Sequence, residues 1–144
     1  MKKEQDKLIN YLKSIDEAYE EYAKAKGMTY ISLVILEEIY EAGSGCTQKQ
    51  ISRDTHYPKQ TVNLVVKSFW EDGYVELKEI PTDRRHKYIV LTEKGRKHCE
   101  EVVAPLWEKE ECVITDMGKN ESEELVRLLE LYCNLYRDGI NKIK

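Results

Sequence analysis

The sequence predicts a mainly α-helical chain with a small β-hairpin wing, that is, a winged helix-turn-helix flanked by long dimerisation helices. Three observations predict it. Apolar residues recur at three- and four-residue spacing over most of the 144 positions. Two short strand-like runs occur side by side late in the chain, with a polar stretch between them. Capping signals cut the helical part into a long piece, three shorter ones and two more long ones. At this length one domain suffices, and it can bury a sizeable core without metal or disulfide staples.

The first helix spans about 4–26, where Leu8, Ile9, Leu12, Ile15, Tyr19 and Tyr22 set one apolar stripe, and Gly27 ends it. Thr29 caps a second helix to about Tyr40, carrying Leu33, Leu36 and Ile39. Thr47 and Gln50, three residues apart, form a capping-box pattern that opens a short third helix to about Thr55. A tight link at 56–58 leads to a fourth helix over 59–72, with Pro58 near its first turn and Val62, Val65, Val66 and Phe69 inward. Its β-branched residues lower helix propensity, so tertiary packing must hold it. Gly73 suits the left-handed turn that follows.

Residues 74–80 and 87–91 read as the two strands of a hairpin, and 81–86, with its two adjacent arginines, as the loop at its tip. Thr92, Lys94 and Gly95 restart a helix that continues towards Met117, bent at Pro105. A last helix over about 122–141 presents Leu125, Leu128, Leu129, Tyr132, Leu135, Tyr136 and Ile140 on one broad face. The first and last helices are not needed to complete the short-helix module between them. The simplest use of their stripes is packing against a second copy of the chain, and an internal four-helix core is the alternative.

The formal net charge of −4 conceals an uneven distribution. Residues 47–97 hold 11 Lys and Arg against 7 Asp and Glu, a surplus of +4, whereas the rest hold 12 against 20, or −8. The middle can therefore face a polyanion while the ends face solvent or a partner. No apolar run approaches the roughly 18 residues of a membrane span, and MKKEQDKLIN has no signal-peptide core, so no membrane association and a cytoplasmic location are expected. Cys46, Cys99, Cys112 and Cys133 form no CxxC pair and read as thiols in a reducing compartment. His56, His86 and His98 lack a shared ligand spacing, so no metal site and no cofactor is expected. No glycine-rich phosphate loop, HExxH or nucleophile elbow supports an enzyme.

Helix, short helix, tight link, helix, hairpin is the order that matters for function. A helix with a polar outer face can enter the major groove of double-stranded DNA with its first turns at base edges. Those residues are Lys59, Gln60, Thr61, Asn63 and Leu64. Gln60 and Asn63 suit adenine, Lys59 suits guanine or phosphate, and Thr61 or Leu64 suits a thymine methyl. Arg84 and Arg85 at the hairpin tip suit a narrow minor groove, with Asp83 as an ion-pair partner that orients Arg85. Thr47, Gln48, Lys49, Lys67 and Lys87 are candidates for phosphate contact. A plain solvated helix face and loop are the competing reading of these positions.

The stretch from Cys46 to Gly95 resembles the core of the MarR family (multiple antibiotic resistance regulators), including a wing signature matched by Asp83, Arg84, Arg85, Leu91, Thr92 and Gly95. The resemblance implies a single domain over 1–144, with a DNA-binding lobe at 29–98 and a helical dimerisation region at 1–26 and 99–144. It implies a homodimer on a pseudo-palindromic duplex, Arg85 in the minor groove and Asp83 bracing it. It further implies a repressor released by a small aromatic or phenolic effector, for which Tyr11, Tyr30, Tyr40 and Trp107 are candidate contacts. Leu64 stands where the family more often has a polar residue, Pro58 where serine is common, and Trp70 where a charge is usual. The family's peroxide-sensing branch uses a cysteine near the N-terminal helix, and none here precedes Cys46. A winged-helix protein-interaction adaptor, or a metal- or thiol-responsive regulator with Cys46, Cys99 or Cys112 as the thiol, is the alternative.

Overall fold

The computed structural model describes residues 1–144 and contains six helices and one two-stranded antiparallel sheet. It divides into two compact units, residues 1–104 and 105–144.

In the first unit α1 (Lys2–Ala25) is followed by α2 (Tyr30–Ala42), α3 (Gln48–Thr55) and α4 (Lys59–Glu71). Two of these starts are fixed by reciprocal capping boxes, Thr29 with Ser32 on α2 and Thr47 with Gln50 on α3. His56 takes a left-handed conformation (φ 60°) at the end of α3, and Pro58 stands at the N-cap of α4, so three residues turn the chain from one helix into the next. Strands β1 (Val75–Ile80) and β2 (Asp83–Leu91) then form the hairpin, and Cys46, just before α3, makes an isolated bridge to Ile89 of β2. That bridge joins the helical part to the wing.

The core of this unit is apolar throughout. Its buried members include Leu33, Ile35, Leu36 and Ile39 of α2, Ile51 of α3, Val62, Val66 and Phe69 of α4, Val75 and Ile89 of the hairpin, and Cys99, Val102 and Val103 of α5 (Glu93–Met117). Fully burying side chains of this size stabilises by about 1.5–3 kcal/mol each before chain entropy is subtracted. It also explains how α4 tolerates three valines: Val62 and Val66 are fully covered, so packing offsets their weak helix propensity.

The junction between hairpin and α5 gives a physical reason for the Leu-Thr-x-x-Gly pattern. Leu91 is buried, and Thr92 donates its hydroxyl to the Gly73 carbonyl at 2.6 Å while accepting the Gly95 N–H at 3.0 Å. A Cβ on Gly95 would lie 1.9 Å from the carbonyl oxygen of Tyr74, so only glycine lets α5 approach the backbone just before β1. Gly73, with φ +79°, makes the left-handed turn out of α4.

In the second unit the continuation of α5 ends at Met117, and α6 (Lys119–Ile143) follows after Gly118. Pro105 lies inside α5, which is continuous through it. The last helix begins at Lys119, earlier than the expected start at Ser122, with Gly118 as its N-cap. None of the residues of α6 is buried, and Leu125, Val126, Leu128, Leu131, Leu135 and Tyr136 are among those more than two-fifths exposed.

Candidate nucleic-acid interface

The capping box of α3 uses the Thr47 hydroxyl as acceptor from the Gln50 N–H at 3.1 Å, which fixes where α3 starts and hence where Gln48 stands. Gln48 in turn receives a hydrogen bond from the Asn63 amide at 3.3 Å, tying the outer face of α4 to the first turn of α3. Gln48, Lys59, Gln60, Asn63 and Leu64 share one open groove of about 420 Å³. Lys49, Lys59, Gln60, Asn63 and Lys67 are exposed, Leu64 is 68% exposed, and Thr61 is half-buried. A leucine that exposed has no core role, and an apolar contact with a base edge is chemically open to it. Trp70 is also exposed, but on the C-terminal half of α4, outside this groove.

The wing departs from its expected form. Residues 81–86 were expected as a loop, yet β2 begins at Asp83, leaving only Pro81 and Thr82 between the strands. The register slips between Glu79 and Ile80, so that Ile80 pairs with Asp83 while Glu79 pairs with Lys87. Arg84 and Arg85 are thus strand residues beside the turn. Asp is a poor strand former on a packed sheet, but both faces of a ribbon tip are solvated, and its propensity cost there is small.

Asp83 does brace this segment, though not by the ion pair to the Arg85 guanidinium that was expected. Its Oδ1 accepts the backbone N–H of Arg85 at 2.9 Å, and its Oδ2 pairs with His86 Nδ1 at 2.6 Å. These bonds hold the Asp83 carboxyl below its usual range, the His86 bond contributing most. The Arg85 side chain is exposed and leaves its charge for another partner. His86 was not singled out from sequence. The signal was present in the Asp-x-x-His spacing, which in a turning strand brings carboxylate and imidazole together.

A notch of about 240 Å³ lies where the wing meets the two helices, with Gln48 of α3, Asn63 of α4, and Arg85, His86 and Lys87 of β2 as its polar lining and Leu77 and Ile89 as its apolar lining. Candidates from three elements therefore converge on one surface. Arg84, Lys49 and Lys67 are exposed but line neither cavity.

The remaining candidates are dispersed. Tyr11 is 69% exposed on α1, and Tyr30 donates its hydroxyl to Asp16 at 3.0 Å and meets Tyr19 edge-on. Tyr40 is half-buried on α2, and Trp107 is half-buried in the second unit. Burial pushes the Cys46 thiol up to about 11 and the Cys99 thiol up to about 12, opposite to what a reactive thiolate needs. Cys112 and Cys133 are exposed on the last two helices. No group of three or more His, Cys, Asp or Glu side chains is placed to hold a metal ion, and no helix is long and apolar enough to cross a membrane.

Comparison with known proteins fits this geometry. Residues 26–86, from the end of α1 to the tip of the wing, match the family model described as MarR family. The chain is 26% identical over 102 residues to the HTH-type transcriptional regulator BilQ of Clostridium symbiosum (strain WAL-14163), covering 69% of this chain and 71% of that protein. The solved structure of NMB1585, a MarR family regulator from Neisseria meningitidis, superposes with a TM-score of 0.80 at 24% identity, covering 98% of this chain and 99% of that one. The S. aureus MepR–DNA complex shares the fold with a TM-score of 0.72 at 21% identity, over 87% and 96% of the two chains. The matched segment spans the helix-turn-helix and most of the wing, so this part of the chain is similar to the MarR family and to HTH-type transcriptional regulators, and the whole chain shares the fold of a solved MarR family regulator.

Proposed function

We propose that the protein is a homodimer that binds double-stranded DNA at a pseudo-palindromic site, as a cytoplasmic repressor released by a small aromatic or phenolic effector. The observation that carries DNA binding is the convergence of Gln48, Asn63, Arg85 and Lys87 at one notch between α4 and the wing. A helix in the major groove and a basic ribbon in the adjacent minor groove need that juxtaposition. The fold shared with MepR, solved bound to DNA, supports the reading. Asn63 and Gln60 read bases, Leu64 and Thr61 contact thymine methyls, and Lys59, Thr47, Gln48, Lys49, Lys67 and Lys87 hold phosphates. Arg85 enters the minor groove beside Arg84, and Asp83 sets its backbone.

The homodimer is supported by the apolar faces of α1 and α6. Ile9, Leu12 and Ile15 on one, and Leu128, Leu135 and Ile140 on the other, are exposed in the single chain, and helices of this kind bury such stripes against a partner. Two recognition helices must then match major grooves about 34 Å apart. A small aromatic or phenolic effector would release DNA by favouring a dimer geometry without that match.

Selection of bound fragments from random double-stranded DNA, followed by titration at two salt concentrations, tests the reading. An inverted repeat bound more tightly than scrambled duplex, and more weakly at high salt, is expected. Arg85→Ala weakens binding to every duplex and flattens the salt dependence, whereas Asn63→Ala chiefly relaxes base preference. Folded protein that enriches no site at low salt would favour an adaptor instead.

A further inference from the structure

The phosphodiester backbone is what separates the major from the minor groove, so a protein that places a helix in one and a ribbon in the other must straddle it. In this molecule the place of crossing is the notch whose polar lining is Gln48, Asn63, Arg85, His86 and Lys87, beside the apolar Leu77 and Ile89. We infer that this notch seats one backbone phosphate of bound duplex and that His86 is its titratable member, so that DNA binding takes up a proton. The inference rests on the DNA-binding reading above.

His86 is the member whose chemistry is unaccounted for by a fixed basic surface. Its Nδ1 lies 2.6 Å from Asp83 Oδ2, and since a carboxylate only accepts, Nδ1 carries the hydrogen. In the neutral ring Nε2 is then a bare acceptor, which a phosphate oxygen repels. In the protonated ring Nε2 becomes an N–H donor with positive charge, which a phosphate attracts. Histidine is the side chain whose ordinary titration falls between about pH 5 and 8, so this change is available under mild conditions.

The charges around His86 in the free protein are mixed in sign. On its own strand His86 is flanked by Arg85 and Lys87 and bonded to Asp83, and across the ribbon Glu79 pairs with Lys87. From α3 and α4 the notch receives Gln48 and Asn63, both uncharged. Free protein thus has one carboxylate against the imidazole, already engaged, and a phosphate in the notch adds a second anion with no carboxylate displaced. Asp83 meanwhile keeps its second oxygen on the Arg85 N–H, so protonation of His86 and the backbone setting of Arg85 share one carboxylate.

The sign follows. A phosphate in the notch favours the protonated ring over the neutral one, so the gain in affinity is present at low pH and disappears as pH rises. A rise of one pKa unit tightens binding about tenfold per notch.

The test measures affinity of full-length wild type and His86→Asn for the selected duplex at pH 6 and pH 8 and constant ionic strength. Asparagine keeps a donor for Asp83 but cannot titrate. Wild type is expected to bind about tenfold or more tightly at pH 6 than at pH 8, with most of that ratio lost in His86→Asn. Histidine NMR titration of wild type, without and with duplex, should show the His86 transition moving to higher pH. Equal pH ratios in the two proteins, or a His86 transition unmoved by duplex, overturn the inference while leaving DNA binding in place. Absence of duplex binding by wild type at either pH overturns both.

Discussion

Leu36 and Leu135 are both leucines on the apolar faces of amphipathic helices, yet Leu36 is fully buried and Leu135 is 63% exposed. The winged lobe and α6 differ in the same way throughout. The lobe packs α2 against α1, α3, α4 and β2, whereas α6 has no buried residue at all. An apolar stripe says that a helix needs a partner; it does not say whether the partner lies in the same chain. In the lobe the partners are supplied by neighbouring elements, and on α6 the proposed partner is a second copy.

The comparison is tested most severely by Leu36→Ala. Removing a fully buried leucine from the lobe should cost about 2–5 kcal/mol in urea unfolding. Gly95→Ala, which would force α5 off the Tyr74 carbonyl, should cost about 3 kcal/mol, and an unchanged midpoint would mean that the junction yields easily. Thr47→Ala, which removes one half of the α3 capping box, should cost about 1 kcal/mol.

The cysteines make the same contrast chemically. Cys46 and Cys99 are neutral in the folded lobe and ionise more readily once unfolded, because burial raises their pKa values to about 11 and 12. Their contribution is therefore whole below the ordinary thiol value and is lost as pH rises through about 11 to 12. At pH 8, iodoacetamide should modify exposed Cys112 and Cys133 within minutes while Cys46 and Cys99 remain unmodified by mass spectrometry. Rapid labelling of Cys99 would show that the lobe opens far more often than its packing implies.

The smallest expected effect is that of Leu135→Ala on the dilute protein, within about 0.5 kcal/mol of wild-type stability. Its effect should instead show in sedimentation, as a weakened self-association. A loss as large as that of Leu36→Ala, independent of protein concentration, would erase the distinction between the two regions.

Much of the fold was legible because its signals are local. Thr47 with Gln50, Pro58 and Gly73 each constrain the backbone within one turn, and the helices they bound appear where those residues place them. The two boundaries that were misread lacked such a signal. Ser122 resembles a cap, but Gly118 with its positive φ starts α6. The six polar residues after Ile80 resemble a loop, but a solvated ribbon tip imposes no pattern on its side chains, so the strand reaches back to Asp83 unannounced.

By itself the sequence determined the order of elements, the apolar stripes and the residue types on the outer face of α4 and in the wing. Periodicity and capping act over three or four residues and are written into neighbouring positions. Only the tertiary structure decided that Gln48 holds Asn63 across fifteen positions. It also decided that the reason for glycine at 95 is the carbonyl of Tyr74. These depend on where separate elements meet, and that distance is set by the packing of the whole lobe, which no local pattern encodes.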